Sequence, residues 1–147
     1  MRRILCVMFL LCSGGFTALA AQERPPPVAE RDPDFKLEQN YPNPFRSETR
    51  IPFVLEETLF EEGETVTVSL RVYNIVWQFV AAPVALRYPG GDRLPLLQLE
   101  YRRPGRYEAL WNGQDRNGKP VVSGVYFVQM QIEGRGSASP LRMFVSR

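Results

Sequence analysis

Residues 66–73 read VTVSLRVY. Val66, Val68, Leu70 and Val72 fall on one side of an extended chain, and Thr67, Ser69, Arg71 and Tyr73 on the other. This period of two returns along the chain in short segments. Tyr126, Val128, Met130 and Ile132 share a side, with Gln129 and Gln131 pointing away. Leu141, Met143 and Val145 alternate with Arg142, Phe144 and Ser146. Tyr107, Ala109 and Trp111 form another face, as do Ile51, Phe53 and Leu55. Residues 78–82, 84–88 and 94–101 are weaker strand candidates. Clusters of Gly, Pro and Asn separate the segments, and no stretch sustains a helical period. Short strands of this kind cannot bury their apolar faces singly. They predict an all-β sandwich or barrel from residue 35 onward.

Local signals refine this expectation. Pro52 has no amide hydrogen, so its strand is expected at a sheet edge, or paired only beyond Pro52. The glycines of residues 133–137 suit a hairpin loop. Pro89-Gly90-Gly91-Asp92 suits the tip of an additional hairpin. Residues 56–64 carry five glutamates, which read as a solvated loop.

The first 33 residues differ in character. Arg2 and Arg3 precede an apolar run over residues 4–11, and Ala18-Leu19-Ala20 offers small residues to a peptidase. Residues 1–20 read as a secretory signal peptide cleaved after Ala20. The apolar run is far short of the roughly 20 residues of a spanning helix. Leu11 stands before Cys12, where a lipoprotein signal needs a small residue. Residues 21–34 are polar and proline-rich, the composition of an extended linker. No transmembrane segment is expected in the mature chain, and its destination is the periplasm, the cell surface or the medium.

Both cysteines, Cys6 and Cys12, fall within the signal peptide. The exported chain must therefore stand on its core without disulfides. Removing Arg2 and Arg3 from the 18 basic residues leaves 16 against 16 acidic ones. A nucleic-acid partner, which demands a basic excess, is not expected.

Catalytic chemistry has few candidates. The chain has no histidine, which excludes Ser-His-Asp and Cys-His nucleophile systems and the usual zinc site. No acid pair stands out from a loop run or an exposed strand face. Neither enzymatic activity nor a cofactor is expected. Asp115 and Asn117 mimic the start of a calcium loop, but no later acidic ligand follows. Asp115 is read instead as capping the Asn117-Gly118 turn. Gly124 is expected where a side chain would crowd nearby backbone.

The segment before the first strong strand reads NYPNPF, residues 40–45. Pro42 and Pro44 stiffen the backbone and push Tyr41 and Asn43 toward extended conformations. Asn40 and Asn43 can close local turns. Tyr41 and Phe45 are expected to act as apolar pegs on the end of the sandwich.

An ordered set of motifs follows. NYPNPF leads into TRIPFVL, then VSLRVYNI, then PGRY with WNGQDRNGKPVVSGVYF, then the basic-ended LRMFVSR. That order resembles the type A C-terminal sorting domain of the type IX secretion system of Bacteroidetes-like bacteria. It is also similar to the immunoglobulin-like domain of the flagellar hook-capping protein. The resemblance covers about residues 35–147. It implies an immunoglobulin-like, fibronectin III-like β-sandwich of about seven or more strands. It further implies a non-catalytic module that addresses a protein to an outer-membrane translocon or attaches it at the cell surface. The motif residues carried over are Asn40, Tyr41, Pro42, Asn43, Pro44 and Phe45 at the opening, and Tyr73 and Asn74 at the end of the best strand. Trp111, Gly113, Asp115, Asn117, Gly118, Gly124 and Tyr126 complete the set.

Three departures from the family pattern stand out. Only the short linker precedes the domain, so no cargo is expected ahead of it. Trp77 stands where the family has a glycine, which predicts a remodelled turn. Residues 81–103 are longer than the usual connection. These departures motivate a second reading, a free-standing envelope scaffold or adhesion module. For Trp77 and the leucines of residues 94–99 the default expectation is core packing; exposure there would mark a partner surface.

Overall fold

The computed structural model describes residues 34–147, the side chain of Glu62 excepted. The signal peptide, its cleavage after Ala20, both cysteines and the linker up to residue 33 lie outside the described residues.

Among the described residues, ten short strands form two antiparallel sheets. One holds β1 (Phe35–Leu37), β2 (Thr49–Leu55), β7 (Gly105–Trp111) and β5 (Val84–Ala85), in the order β1-β2-β7-β5. The other runs β10 (Leu141–Val145), β8 (Gly124–Ile132), β3 (Val66–Tyr73) and β4 (Phe79–Ala81). Two shorter strands join the second sheet: β6 (Leu99–Tyr101) pairs with β3, and β9 (Gly136–Ser137) pairs with β8. This is the strand order of an immunoglobulin-like sandwich, A-B-E-D facing G-F-C-C′.

The alternating faces meet as expected. Val66, Val68, Leu70 and Val72 are buried against Ile51, Phe53 and Leu55, with Val128, Met130, Ile132 and Met143 completing the core. At one end Phe53 stacks on Tyr107 and meets Tyr101 edge-on. At the other end Trp111 lies between Phe45 and Tyr126, with ring centroids 5.4 Å from each. Near the start of β8 the Tyr126 hydroxyl donates to the Val122 carbonyl at 3.0 Å. This is the tyrosine corner of the immunoglobulin class.

Pro52 is a correction. β2 lies inside its sheet, and Pro52 pairs with Glu108 of β7. The Pro52 carbonyl accepts from the Glu38 amide at 2.9 Å, on the β1 side. In an extended strand a residue's N–H and C=O face the same side, so the missing donor also faces β1. There β1 has already ended, and the chain bulges before Tyr41 and Arg50 exchange both backbone bonds. The β2–β7 ladder loses nothing.

Other expectations shift for similar reasons. Ser69 lies on the face opposite Val68 and Leu70 but is buried there, because residues 96–98 run beside β3 and the Gln98 amide donates to its hydroxyl at 2.9 Å. The glutamate-rich stretch is a 3-10 turn, Glu57–Gly63, anchored by buried Leu59, rather than a plain loop. The weaker strand candidates shorten to β4, β5 and β6. The additional hairpin is present: Val84 bridges Pro95, and the Arg93 amide donates to the Ala85 carbonyl. Gly124 meets no atom that a side chain would crowd; its φ of +155° accounts for the glycine instead.

The β3–β4 turn is tight, with Trp77 inside it. The Trp77 amide donates to the Asn74 carbonyl, and the Asn74 amide to the Gln78 carbonyl. Asn74 Oδ1 accepts from the amides of Val76 and Gln78. Residues 75–77 thus form a three-residue hairpin loop whose last position is left-handed. Trp77 occupies that position with φ +59°. It is 51% exposed, so core packing does not hold for it. Its ring stacks on Phe127 at 5.2 Å. Trp77→Gly relieves the left-handed strain but loses that stack. The two effects are each of order 1 kcal/mol, so stability should stay within about 1 kcal/mol of the native chain. Thermal unfolding checks this; a larger drop would show Trp77 packing as a core residue.

Candidate functional site at the closed C-terminal edge

The opening motif and the last strand form one unit. β10 pairs with β8 on one side, leaving the backbone groups of Arg142, Phe144 and Ser146 on the other. Such an edge invites pairing with another chain. Here residues 39–45 cover it. The Phe45 amide donates to the Phe144 carbonyl at 2.9 Å, and the Ser146 amide to the Phe45 carbonyl at 2.8 Å. Asn43 Oδ1 accepts from the Phe144 amide at 2.8 Å. Gln39 Nε2 donates to the Arg142 carbonyl at 3.1 Å, and Asn43 Nδ2 to the same oxygen at 3.4 Å.

The motif is held in place from behind. Asn40, itself buried, donates through Nδ2 to Thr49 Oγ1 at 2.8 Å. The Thr49 hydroxyl donates in turn to the Pro42 carbonyl at 2.9 Å. The peptide bonds before Pro42 and Pro44 are both cis. Phe45 enters the core as the expected peg. Tyr41 does not: its ring is partly exposed and its hydroxyl donates to Glu108.

The loop after Trp111 closes on the same place. The indole nitrogen donates to the Gln114 carbonyl at 2.9 Å. Arg147 Nη2 donates to the Gly113 carbonyl at 2.8 Å, and the Arg147 amide to Ser123 Oγ at 2.9 Å. A Cβ on Gly113 would lie 2.8 Å from that guanidinium and 3.3 Å from the Phe45 ring, and its φ is +65°. Only glycine lets the loop approach this closely. Asp115 caps its turn as expected, with Oδ1 accepting from the amides of Asn117 and Lys119. Asn40, Asn43, Phe45, Trp111, Gly113 and Tyr126 are therefore brought to one end of the molecule. Asp115, Asn117 and Gly118 form a neighbouring turn, and Tyr73 and Asn74 belong to the β3–β4 hairpin.

Sequence reasoning missed Glu108. Its side chain lies on the outer face of the first sheet, yet it is buried. Arg50 Nη1 and Arg87 Nη2 each sit 3.1 Å from Oε2, and Arg106 Nη1 lies 3.9 Å from Oε1. The hydrogen bond from Tyr41, then the hydrogen bond and charge of Arg50 and the charge of Arg87, hold its carboxyl below the ordinary glutamate range against the opposing effect of burial. The same bond holds the Tyr41 phenol above its ordinary value. The only signal in the sequence was Arg50, Arg106 and Glu108 at outward positions of adjacent strands.

A lowered folded value means that Glu108 contributes stability above the unfolded glutamate pKa of ~4.3, and loses it as pH falls through the folded value. Glu108→Gln should cost about 1–2 kcal/mol near neutral pH. The figure is modest because Arg50, Arg87 and Arg106 are 48%, 83% and 53% exposed and can rehydrate. Denaturant titrations of both chains from neutral to acid pH should converge as Glu108 protonates. A constant gap would remove the ionic account.

No family model matches the chain, and no curated protein matches it. Among solved structures, it is similar to part of dimeric latent PorU from Porphyromonas gingivalis, with a TM-score of 0.51 and 16% identity. That likeness covers 76% of this chain and 9% of PorU. It is also similar to part of PorZ, an essential bacterial surface component of the type-IX secretion system of the same organism. The TM-score is 0.42 and the identity 19%, over 74% of this chain and 11% of PorZ. The chain spans about a tenth of the length of each. The likeness to PorU is one of fold.

Proposed function

We propose that the chain is a non-catalytic, exported β-sandwich module of the type IX sorting kind, serving translocation to, or attachment at, the cell surface. The observation that carries this reading is the closed C-terminal edge. Two parts of the motif set far apart in sequence, NYPNPF and LRMFVSR, pair with each other and present one surface. The fold likeness to a portion of PorU is consistent with it. The partner on this reading is the outer-membrane translocon or another envelope protein, and no cofactor is involved.

The test is a fusion of residues 35–147 behind a periplasmic reporter, in a host that carries the type IX translocon. The reporter should reach the surface or the medium. A folded fusion that remains periplasmic removes the proposal.

The exposed Trp77 favours the second reading, an envelope interaction module. Capture from an envelope extract, with and without residues 84–101, separates a partner bound through the additional hairpin from one bound elsewhere.

A further inference from the structure

The β3–β4 hairpin ends in Ile75, Val76 and Trp77, which are 67%, 65% and 51% exposed. Turn positions normally take Asn, Asp, Gly or Ser, because those residues satisfy the backbone locally and tolerate left-handed φ. Here two β-branched residues and a tryptophan at φ +59° fill them. The turn bonds are all made by Asn74, so the three apolar side chains contribute nothing to closing it. Trp77 gains its stack on Phe127 in return, but Ile75 and Val76 break the rule without a packing gain, which marks a surface used for something else.

Polarity is layered along the hairpin. Ile75 and Val76 stand at the tip. Trp77 lies behind them, flat on Phe127. Next comes the amide pair of Asn74 and Gln78, joined at 2.9 Å. Behind that, the Arg116 amide donates to the Val80 carbonyl and brings the neighbouring loop alongside. Asn74, Gln78 and Phe79 then share a shallow depression with Arg116, Lys119 and Val122. Asp115 is the acidic group in that depression, and its Oδ1 already accepts two backbone amides. Apolar tip, then tryptophan, then amides, then cations is the order in which a bilayer changes from acyl chains through the interface to anionic headgroups. The tip is a projecting turn rather than a groove, which suits insertion.

We propose that this hairpin docks the domain onto an anionic lipid surface, with Ile75 and Val76 in the acyl boundary, Trp77 at the interface, and Arg116 and Lys119 facing headgroups. The proposal is independent of the export reading.

The purified full-length chain is titrated with phosphatidylcholine vesicles, with and without phosphatidylglycerol, carrying brominated acyl chains. Trp77 should be quenched, and more strongly with the anionic lipid. Trp111, buried in the core, should not, so Trp77→Gly leaves the emission unquenched. The apolar residues 4–11 contain no tryptophan, so quenching reports the hairpin. Ile75→Ser with Val76→Ser should weaken partition at least about tenfold. Arg116→Gln and Lys119→Gln should each weaken it about fivefold on anionic vesicles only. Absence of quenching, quenching unchanged in the double serine variant, or burial of Trp77 in a lipid-free dimer of this chain would each overturn the proposal.

Discussion

Phe45→Ala should destabilise the domain by about 3–5 kcal/mol, a large share of the 5–15 kcal/mol typical of a folded domain. Phe45 is 2% exposed and meets Trp111 edge-on at 5.4 Å. The alanine leaves a cavity bounded by Trp111 and the Gly113 loop, and both are fixed in place. The indole is bonded to the Gln114 carbonyl, and the loop to Arg147, so neither can collapse inward. The loss should also be uneven. Phe45 is the peg that holds residues 39–45 against β10. Without it, the Phe144 and Ser146 amides lose their fixed acceptors, Asn43 Oδ1 and the Phe45 carbonyl. Hydrogen exchange should show these two amides opening locally, well below the energy of global unfolding. The Leu70 amide, bonded to the Leu96 carbonyl, should follow only the global change. A uniform loss of protection would mean that the edge is not a separate unit.

The alternation of β3, β8 and β10 was legible because each strand buries one face on a common core, and a period of two records that directly. The tip of the additional hairpin was legible for a different reason, its glycines. What sequence did not show depends on elements meeting across long separations. Glu108 looked like an ordinary outward residue; it is buried because Tyr41, from the opening motif, and Arg87, from the additional hairpin, both lie over it. Ser69 is covered by a segment about thirty residues further on. Pro52 misled because a proline in a strand is forbidden only where its missing donor faces a partner. Which side it faces is fixed by register, which the segment alone does not contain. From sequence alone the opening motif is a stiff lead-in with local turns. Asn40 does make the local bond, but Asn43 spends its side chain on Arg142 and Phe144, about a hundred residues away.

Removing residues 141–147 should abolish cooperative folding. The truncation takes away β10, its five-residue register with β8, and the buried side chains of Met143 and Val145. Core losses of this kind cost about 2–5 kcal/mol for the methionine alone. Arg147, with its bonds to Gly113 and Ser123, goes as well. The sum reaches the lower end of total domain stability. The remaining chain also bares the edge of β8 over Gly124–Val128, apolar on one face, which is a template for aggregation. Size-exclusion chromatography should find oligomers, and near-ultraviolet circular dichroism should lose the signal of the packed Trp111. A peptide of residues 141–147 added in trans should restore both, since the vacant edge accepts a strand in one register set by Met143 and Val145. A truncated chain that stays monomeric, with a sharp transition near that of the whole, would show that β10 is an appendage. The same physics governs how an export assay is read. A C-terminal deletion that blocks translocation reports unfolding before it reports recognition. Substitutions at Arg142 and Phe144, whose side chains are exposed while their backbone bonds persist, separate the two.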